Sequence, residues 1–377
     1  MSAFLRKFGK GFFVSFTLAS SAIFLLACQN QLFDPDRRWY VALLGLALPV
    51  LILIQILIVL TWLALRSRWF ILPLAAILFG SPAIRTVVAF HFPASYQLQK
   101  DSSTLRVMSW NVSWFDGQTN NKRKAGLYHQ AMLDYIKDQQ ADVICFQEYI
   151  EPVGKEGGES HSSILRKMGY KYYHWVGDYV WRDGRLNAGT AIFSKYPILN
   201  RFRWKYDGLW YERAAESLIA ADIDFHGSRI RVFTAHLQSL QFNKKDYQTL
   251  EQITDPRESS MNASLSIIRK IRVGYKYRVS QAALVREQLD NSPYPEILCG
   301  DFNDVPRSYA YTMVRGDRRD AFLEKGFGIG RTFNDISPTL RIDYIFTHPD
   351  FRVLQFKKTE LAFTDHYPIL ADIDLNR

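Results

Sequence analysis

The sequence contains little cysteine and shows no repeat. Only 3 of its 377 residues are Cys, and no two of them have the Cys-x-x-Cys spacing of common metal and redox sites. Cys145 and Cys299 each lie in an apolar run directly before an acidic motif. This setting favours buried thiols, with a disulfide or a metal site as the alternatives. The chain also lacks an internal repeat of fixed short period and a low-complexity tract, which argues against a repeat architecture.

Acidic side chains are scarce in the first quarter of the chain. Residues 1–99 hold roughly 8 basic and 2 acidic side chains, so about +4 of the net charge of +10 belongs to the remainder. That remainder is mildly basic, which permits a phosphate-rich partner without demanding one. With 48% hydrophobic residues, a chain of this length can bury a large core beside a membrane segment.

Three long apolar stretches dominate the N-terminal part. They are Gly11–Cys28, Tyr40–Leu65 and Trp69–Phe90, the last interrupted by two prolines and by Arg85. Because about 20 apolar residues cross a bilayer as a helix, we predict three membrane-spanning helices in an anchor of residues 1–92.

The distribution of Lys and Arg predicts the orientation of this anchor. Basic residues are denser before the first stretch and between the second and third than between the first and second. The positive-inside rule then places the domain after Phe92 on the non-cytoplasmic side of the cell membrane. The run ending at Cys28 also resembles a lipoprotein cleavage site. Under either interpretation the domain stays on the outer side.

After the anchor the pattern changes to short strands with helices between them. Residues 93–104 form a polar stretch that we interpret as a linker, and residues 105–377 form one domain. The clearest elements are the strands Leu105–Val112 and Asp142–Gln147 and the helices Lys124–Gln139 and Met261 to about Leu289. Many strands with dispersed helices predict a two-sheet α/β sandwich.

Five short strings lie at the ends of predicted strands. They are SWNV at 109–112, QE at 147–148, TAHL at 234–237, GDFN at 300–303 and DH at 365–366. Side chains at the same edge of two packed sheets can converge on one pocket although they are far apart in sequence. The strings supply carboxylates, carboxamides and imidazoles, which can hold a hard divalent cation and cleave a phosphate ester.

The ordered set of strings resembles the endonuclease/exonuclease/phosphatase superfamily. With RIDYIF at 341–346, the resemblance extends from Leu105 to the C-terminus. Members of this superfamily include deoxyribonuclease I-like nucleases, abasic-site endonucleases, neutral sphingomyelinases and inositol-phosphate phosphatases. The resemblance implies a deoxyribonuclease I-like fold, a Mg²⁺ or Mn²⁺ cofactor and hydrolysis of a phosphate ester.

The candidate metal ligands are oxygen donors. Glu148 offers the carboxylate that Mg²⁺ or Mn²⁺ prefers, beside substrate phosphate oxygens and water. The resemblance implies that Asn111 lies beside it with a neutral oxygen and that Asp365 adds a carboxylate, directly or through water. A strand-end cap is the alternative for Asn111.

The candidate catalytic groups comprise a carboxylate, a carboxamide and two imidazoles. Asp301 and Asn303 lie two residues apart, so both can face one pocket, Asp301 as base or water-orienting group and Asn303 as phosphate holder. His236 and His366 are predicted to stabilise charge on the phosphate. The resemblance implies that Asp343 supports His366, whereas the sequence does not identify an acidic partner for His236.

The sequence leaves the substrate class open. We expect a phosphodiester, with nucleic acid as the first candidate and a phospholipid, sphingomyelin or inositol phosphate as the alternative. Aromatic and basic side chains in 171–185 and 201–213 suit either substrate, and the amphipathic segment 267–278 can face lipid or nucleic acid or pack on the domain. A membrane-bound binding module without turnover is the alternative of another class. Membrane lipid is an expected partner through the N-terminal helices, and no protein partner is predicted.

Overall fold

We analysed a computed structural model of the chain. It describes residues 3–92, 94–116, 128–152, 159–181, 186–206, 215–240, 246, 261–334 and 337–375. The first residues of the predicted helix 124–139, and residues 182–185 and 207–213 of the two aromatic and basic segments, lie outside these ranges.

The N-terminal part is helical. It consists of α1 (Ala3–Cys28), α2 (Trp39–Ala64), α3 (Ile71–Phe79) and α4 (Ser81–Val87). Two helices are long and apolar enough to cross a membrane, Phe8–Cys28 within α1 and the whole of α2. This apolar pair supports association with a membrane.

The third predicted helix, over 69–90, is not one continuous helix. α3 and α4 meet at a bend of 60°, so the described residues hold two spans, or three if this bent pair counts as one. Pro82 stands in the first turn of α4, where its missing N–H and fixed φ suit a helix start and not a helix interior. The segment then leaves the helix before Phe90, which belongs to strand β1 (Ala89–Phe90).

The rest of the chain forms two six-stranded mixed sheets, as the sequence predicted. In sheet order the first contains β13 (Arg352–Lys358), β14 (Ile369–Asp374), β2 (Thr104–Asn111), β3 (Val143–Pro152), β5 (Leu186–Ser194) and β4 (Tyr172–Trp181). The second contains β10 (Arg319–Asp320), β12 (Asp343–Thr347), β9 (Glu296–Asp301), β8 (Ser228–His236), β7 (Glu216–Phe225) and β6 (Ile198–Trp204). Strand β11 (Phe327–Gly328) pairs with β1 and so joins the helical part to the sandwich.

The main core lies between the two sheets and consists largely of β-branched and aliphatic side chains. Cys145 and Cys299 are buried there as free thiols, which confirms the sequence interpretation. Two further cores lie under the outer helices, one under α5 (His129–Gln139) and α6 (His161–Lys167) and one under α7 (Met261–Asp290) and α8 (Tyr309–Arg315). The short helix α9 (Ala321–Lys325) contributes Ala321 to the main core. Two packed layers with helices outside are the expected way to bury both sheet faces.

The segment 94–104 packs on the domain. Arg106, fully buried on β2, forms a two-point ion pair with Asp372 on β14 at 2.7 and 2.8 Å. The same guanidinium donates hydrogen bonds to the carbonyl oxygens of Gln97 and Leu98. The polar composition that we interpreted as a linker therefore belongs to a segment fixed by a buried charge pair.

Candidate active site

The candidate site lies at the carboxyl ends of two parallel strand pairs. In one sheet β2 runs parallel to β3, and these strands deliver Asn111 and Glu148. In the other sheet β8 runs parallel to β9, and these strands deliver His236 and Asp301, which are opposite each other in the register. The two sheets pack face to face, so these four side chains meet at one edge of the sandwich.

Irregular backbone directs Glu148 into this edge. The pairing of β3 with β5 shifts register between Phe146 and Tyr149, and Glu148 has a positive φ of 50°. Such a bulge re-aims a side chain that a regular strand would direct elsewhere. The Glu148 N–H donates a 2.9 Å hydrogen bond to the Glu216 carboxylate, which holds the bulge in place.

Gly300 of the GDFN string lies inside strand β9, and close packing explains the residue type. A Cβ at this position would collide with the carbonyl oxygen of Ala235 on the neighbouring strand β8. Glycine therefore lets the two strands approach each other closely. This approach brings the following Asp301 beside His236.

His366 is held between two carboxylates. Its Nδ1 lies 3.1 Å from both oxygens of Asp343, and its Nε2 lies 3.7 Å from Asp301 Oδ2. The Trp110 indole donates a 3.0 Å hydrogen bond to the His366 carbonyl and fixes its backbone. Burial disfavours the imidazolium, but the charges of Asp343 and Asp301 outweigh it and raise the pKa of His366 well above its usual value.

His236 has a carboxylate partner that the sequence analysis missed. Its Nδ1 lies 3.2 Å from Oε2 of Glu216, and its Nε2 lies 3.8 Å from Asp301 Oδ2 and 3.9 Å from Glu148 Oε1. Burial again opposes the charged form, yet Glu216 and then Asp301 and Glu148 raise the pKa of His236 to about 9. Glu216 and His236 are cross-strand partners only because the β7–β8 pairing shifts register between Glu216 and Ile219, so counting outward from the turn would place Glu216 opposite Leu237 and miss this pair.

Asn111 joins the two acidic halves of the site. Its Nδ2 donates to Glu148 Oε1 and to Asp301 Oδ2, both at 3.2 Å, while its Oδ1 accepts from the Ser113 N–H. In this orientation the amide offers donors, and the predicted role as an oxygen ligand requires the amide group to rotate. The side chain of Glu148 is 23% exposed. Burial, followed by the charges of Glu216 and Asp365, raises the pKa of Glu148 to about 7.

The remaining predicted residues lie at the same edge. The Asn303 N–H donates to Asp301 Oδ1 at 2.8 Å, and its Nδ2 donates to the carbonyl oxygen of Leu237 at 3.0 Å. Asp365 accepts a 3.1 Å hydrogen bond from the His366 N–H, and its charge reaches Glu148. The structure thus brings together all eight residues predicted for the site, which are Asn111, Glu148, His236, Asp301, Asn303, Asp343, Asp365 and His366.

Two sets of side chains in the site are candidates for holding a divalent cation. Asp301, Asp343 and His366 offer ligand atoms within 4.8 Å of one another. In that set, however, Asp343 and Asp301 lie 3.1 and 3.7 Å from opposite ring nitrogens of His366 and raise the pKa of the imidazole. This favours a cationic ring, which would repel a metal ion. Glu148 and Asp365 form the second set. Burial, then the charge of Glu216 and then that of Asp365, raises the pKa of Glu148, so a cation beside Glu148 would relieve uncompensated negative charge.

A family model described as "Endonuclease/Exonuclease/phosphatase family" matches residues 108–366, which is more than half of the chain. The chain belongs to this family. Its members are usually hydrolytic phosphoesterases, and the resemblance inferred from the motifs is confirmed. A second model, "Domain of unknown function (DUF8431)", matches residues 10–87. No curated protein matches the chain.

Solved structures show the same fold. An endonuclease/exonuclease/phosphatase from Beutenbergia cavernae DSM 12333 is similar with a TM-score of 0.51 and 19% identity, over 72% of this chain and 72% of that one. A family protein from Bacteroides vulgatus gives 0.50 and 19%, over 72% and 99%. The human Nocturnin catalytic domain with bound sulfate gives 0.50 and 16%, over 72% and 93%. At these identities the likeness establishes the deoxyribonuclease I-like fold of the family.

Proposed function

We propose that this family member is a membrane-anchored phosphodiesterase that depends on Mg²⁺ or Mn²⁺. The observation that carries the proposal is the pair of imidazoles. His236 and His366 each have a carboxylate at Nδ1, and both direct Nε2 toward Asp301, at 3.8 and 3.7 Å. Two cationic donors around one carboxylate suit a phosphate that gains negative charge during hydrolysis.

Each residue of the site has a separate proposed role in hydrolysis. Asp301 orients the attacking water and takes its proton, and the water oxygen forms a bond to phosphorus as the bond to the leaving ester oxygen breaks. His236 and His366 hydrogen-bond the phosphate oxygens, and one of them returns a proton to the leaving oxygen. Asn303 holds a phosphate oxygen without adding charge.

Glu148 and Asp365 are the residues that we propose to hold the cation. When bound, the cation supplies positive charge that polarises the phosphate. Asn111 hydrogen-bonds both Glu148 and Asp301 and so fixes the position of the cation ligand relative to the water-orienting carboxylate. The position of Glu216 behind both His236 and the Glu148 backbone assigns it a positioning role.

The proposal is tested with the purified full chain in detergent micelles and bis(p-nitrophenyl) phosphate as a generic diester. We expect hydrolysis that disappears in excess chelator and returns with Mg²⁺ or Mn²⁺. Undiminished hydrolysis in chelator would overturn the metal dependence. The absence of turnover with either ion would favour the binding-module alternative.

A further inference from the structure

The loop that leaves the active site also contacts the anchor. Asn303 follows β9, and four residues later Arg307 Nε donates a 3.0 Å hydrogen bond to the carbonyl oxygen of Cys28, the last residue of α1. Four residues span at most about 14 Å of extended chain. The phosphate-binding end of the site therefore lies close to the end of an apolar helix that is long enough to span a membrane.

A second contact ties the segment before β12 to the anchor. Arg341 is buried, pairs with Asp320 at 2.6 Å and donates a 3.0 Å hydrogen bond to the carbonyl oxygen of Thr86 in α4. Asp343, the partner of His366, comes two residues later. The short β1–β11 pairing also joins the chain directly after α4 to the domain. The catalytic edge of the sandwich, and not a flank, thus faces the anchor.

Helix α7 extends from the catalytic edge to the anchor. Arg278 binds the carbonyl oxygen of Asn303, which marks the level of the site on this helix. The helix begins at Met261, roughly five turns before Arg278, and the helix also contacts α2. The first half of α7 exposes apolar and basic side chains, with Leu265 56% and Ile268 37% exposed beside exposed Arg269 and Arg272. Such a face suits the boundary between acyl chains and headgroups.

We propose that the catalytic edge rests on the bilayer surface and that the substrate is the headgroup phosphodiester of a membrane lipid. This inference rests on the proposed function and names its substrate class. Water adds to the headgroup phosphorus, one ester bond breaks, and the leaving oxygen takes the proton, which leaves a phosphomonoester and an alcohol. Lipid headgroups occupy the layer between the end of α1 and the site, and the first half of α7 lies along that layer.

The geometry favours lipid over nucleic acid. The anchor lies beside the catalytic edge, so it would obstruct a nucleic-acid polymer that approaches this edge from solution. The remainder after residue 99 carries only about +4, which gives weak long-range attraction for a polyanion. Nucleic-acid cleavage is therefore the competing outcome of the test.

The test uses the full chain reconstituted into vesicles of phosphatidylcholine, phosphatidylglycerol and sphingomyelin in equal parts, with Mg²⁺. Phosphorus NMR follows conversion of diester to monoester. We expect a lipid of the same bilayer to be hydrolysed at least tenfold faster than the same lipid in separate vesicles, and an added oligonucleotide to stay intact. Oligonucleotide cleavage with intact lipid would overturn the lipid assignment, and equal rates in the two vesicle arrangements would overturn the surface placement.

Two variants isolate the α7 face. Leu265→Ser with Ile268→Ser should lower lipid hydrolysis in vesicles at least fivefold while hydrolysis of bis(p-nitrophenyl) phosphate in detergent stays within twofold of wild type. Leu199→Ser, at an exposed position on edge strand β6, is the matched control and should alter neither rate. Unchanged lipid hydrolysis in the α7 variant would refute a role for this face.

If the generic diester is not hydrolysed even by wild type, the proposed function itself fails, whereas diester turnover without lipid turnover refutes the lipid assignment alone.

Discussion

His366 and Asp343 act as one unit in the proposed site, since both carboxylate oxygens of Asp343 lie 3.1 Å from the ring nitrogen. His366→Ala should lower kcat about 100-fold or more, roughly 2.7 kcal/mol, with a smaller change in KM, because the imidazolium acts mainly in the transition state. Asp343→Asn should show part of this loss. The measurement is steady-state kinetics of both single variants and the double variant on bis(p-nitrophenyl) phosphate.

The double variant distinguishes this arrangement from independent roles. If Asp343 works through His366, adding Asp343→Asn to His366→Ala should lower kcat little further, since groups that act together are not additive. Losses that multiply would mean that Asp343 serves another group. Wild-type turnover in His366→Ala would remove the histidine from the mechanism.

Glu148 connects metal affinity to pH. Glu148→Gln keeps the side-chain volume and removes the charge, so the Mg²⁺ concentration for half-maximal activity should rise at least tenfold. In wild type, protons and Mg²⁺ compete for a carboxylate whose pKa without metal is raised to about 7. The acid limb of the activity profile should therefore move to lower pH as Mg²⁺ increases. Glu159→Gln, on an exposed ion pair with Lys167, is the control and should change neither quantity; an acid limb that ignores Mg²⁺ would contradict the assignment.

Glu216 should control the protonation of His236. The charge of Glu216 holds the pKa of His236 at about 9 against burial, so wild-type activity should fall as pH rises through about 9. Glu216→Gln removes that charge, and burial then favours neutral imidazole. We expect the basic limb of kcat/KM to move down by at least one pH unit. Asp224→Asn, at the turn of the same hairpin, is the control. A basic limb that stays in place would separate Glu216 from His236.

At this scale the sequence predicted residue types better than their orientations. The motif order identified eight residues that the fold brings to one edge. Glu216 escaped prediction because an acidic residue at the start of an apolar strand forms no motif, and only the register of the hairpin links it to His236. The donor orientation of the Asn111 amide depends on the Ser113 N–H, a contact that spacing alone does not reveal.

Among the elements, regular periodicity predicted well and local irregularity did not. Helix α7, predicted from Met261 to about Leu289, is observed as Met261–Asp290. The sequence showed the interruptions of the third apolar segment but not its division into two bent helices, because hydropathy counts apolar residues, whereas Pro82 decides where a helix can begin. The bulge that turns Glu148 into the site likewise arises from strand pairing.

The charge pair between β2 and β14 should contribute strongly to stability. Asp372→Ala leaves the fully buried Arg106 without its carboxylate and should destabilise the domain by about 3–5 kcal/mol. Asp374→Ala, two residues along the same strand, removes a pair with Arg352, which is 71% exposed, and should cost less than about 1 kcal/mol. Thermal unfolding of the full chain in detergent measures both. Equal effects would show that Arg106 finds another partner.

At the scale of the whole molecule, the contacts between anchor and domain were outside the reach of sequence patterns. Arg307 lies in no motif and Arg341 opens the RIDYIF string, and neither setting predicts that each donates a hydrogen bond to a carbonyl oxygen of the anchor. These bonds depend on where helices end in space, since only residues near a helix end have carbonyl groups free to accept. The separation into anchor and domain at 92–105, predicted from composition, remains a proposal, and the packed segment between them makes the two parts structurally continuous.

The same contacts bear on membrane topology. Because Arg307 binds the end of α1, the connection between α1 and α2 lies on the same side as the domain. The loop charges predict that this side is outside the cytoplasm. A reporter enzyme that works only outside the cytoplasm should then be active when fused after Arg377 and inactive when fused after Arg66, beyond α2. Reporter activity in cells measures both fusions. The reverse pattern would mean that the domain faces the cytoplasm, where only lipids of the inner leaflet are within reach of the catalytic edge. Activity at both junctions would mean that α2 does not cross the membrane.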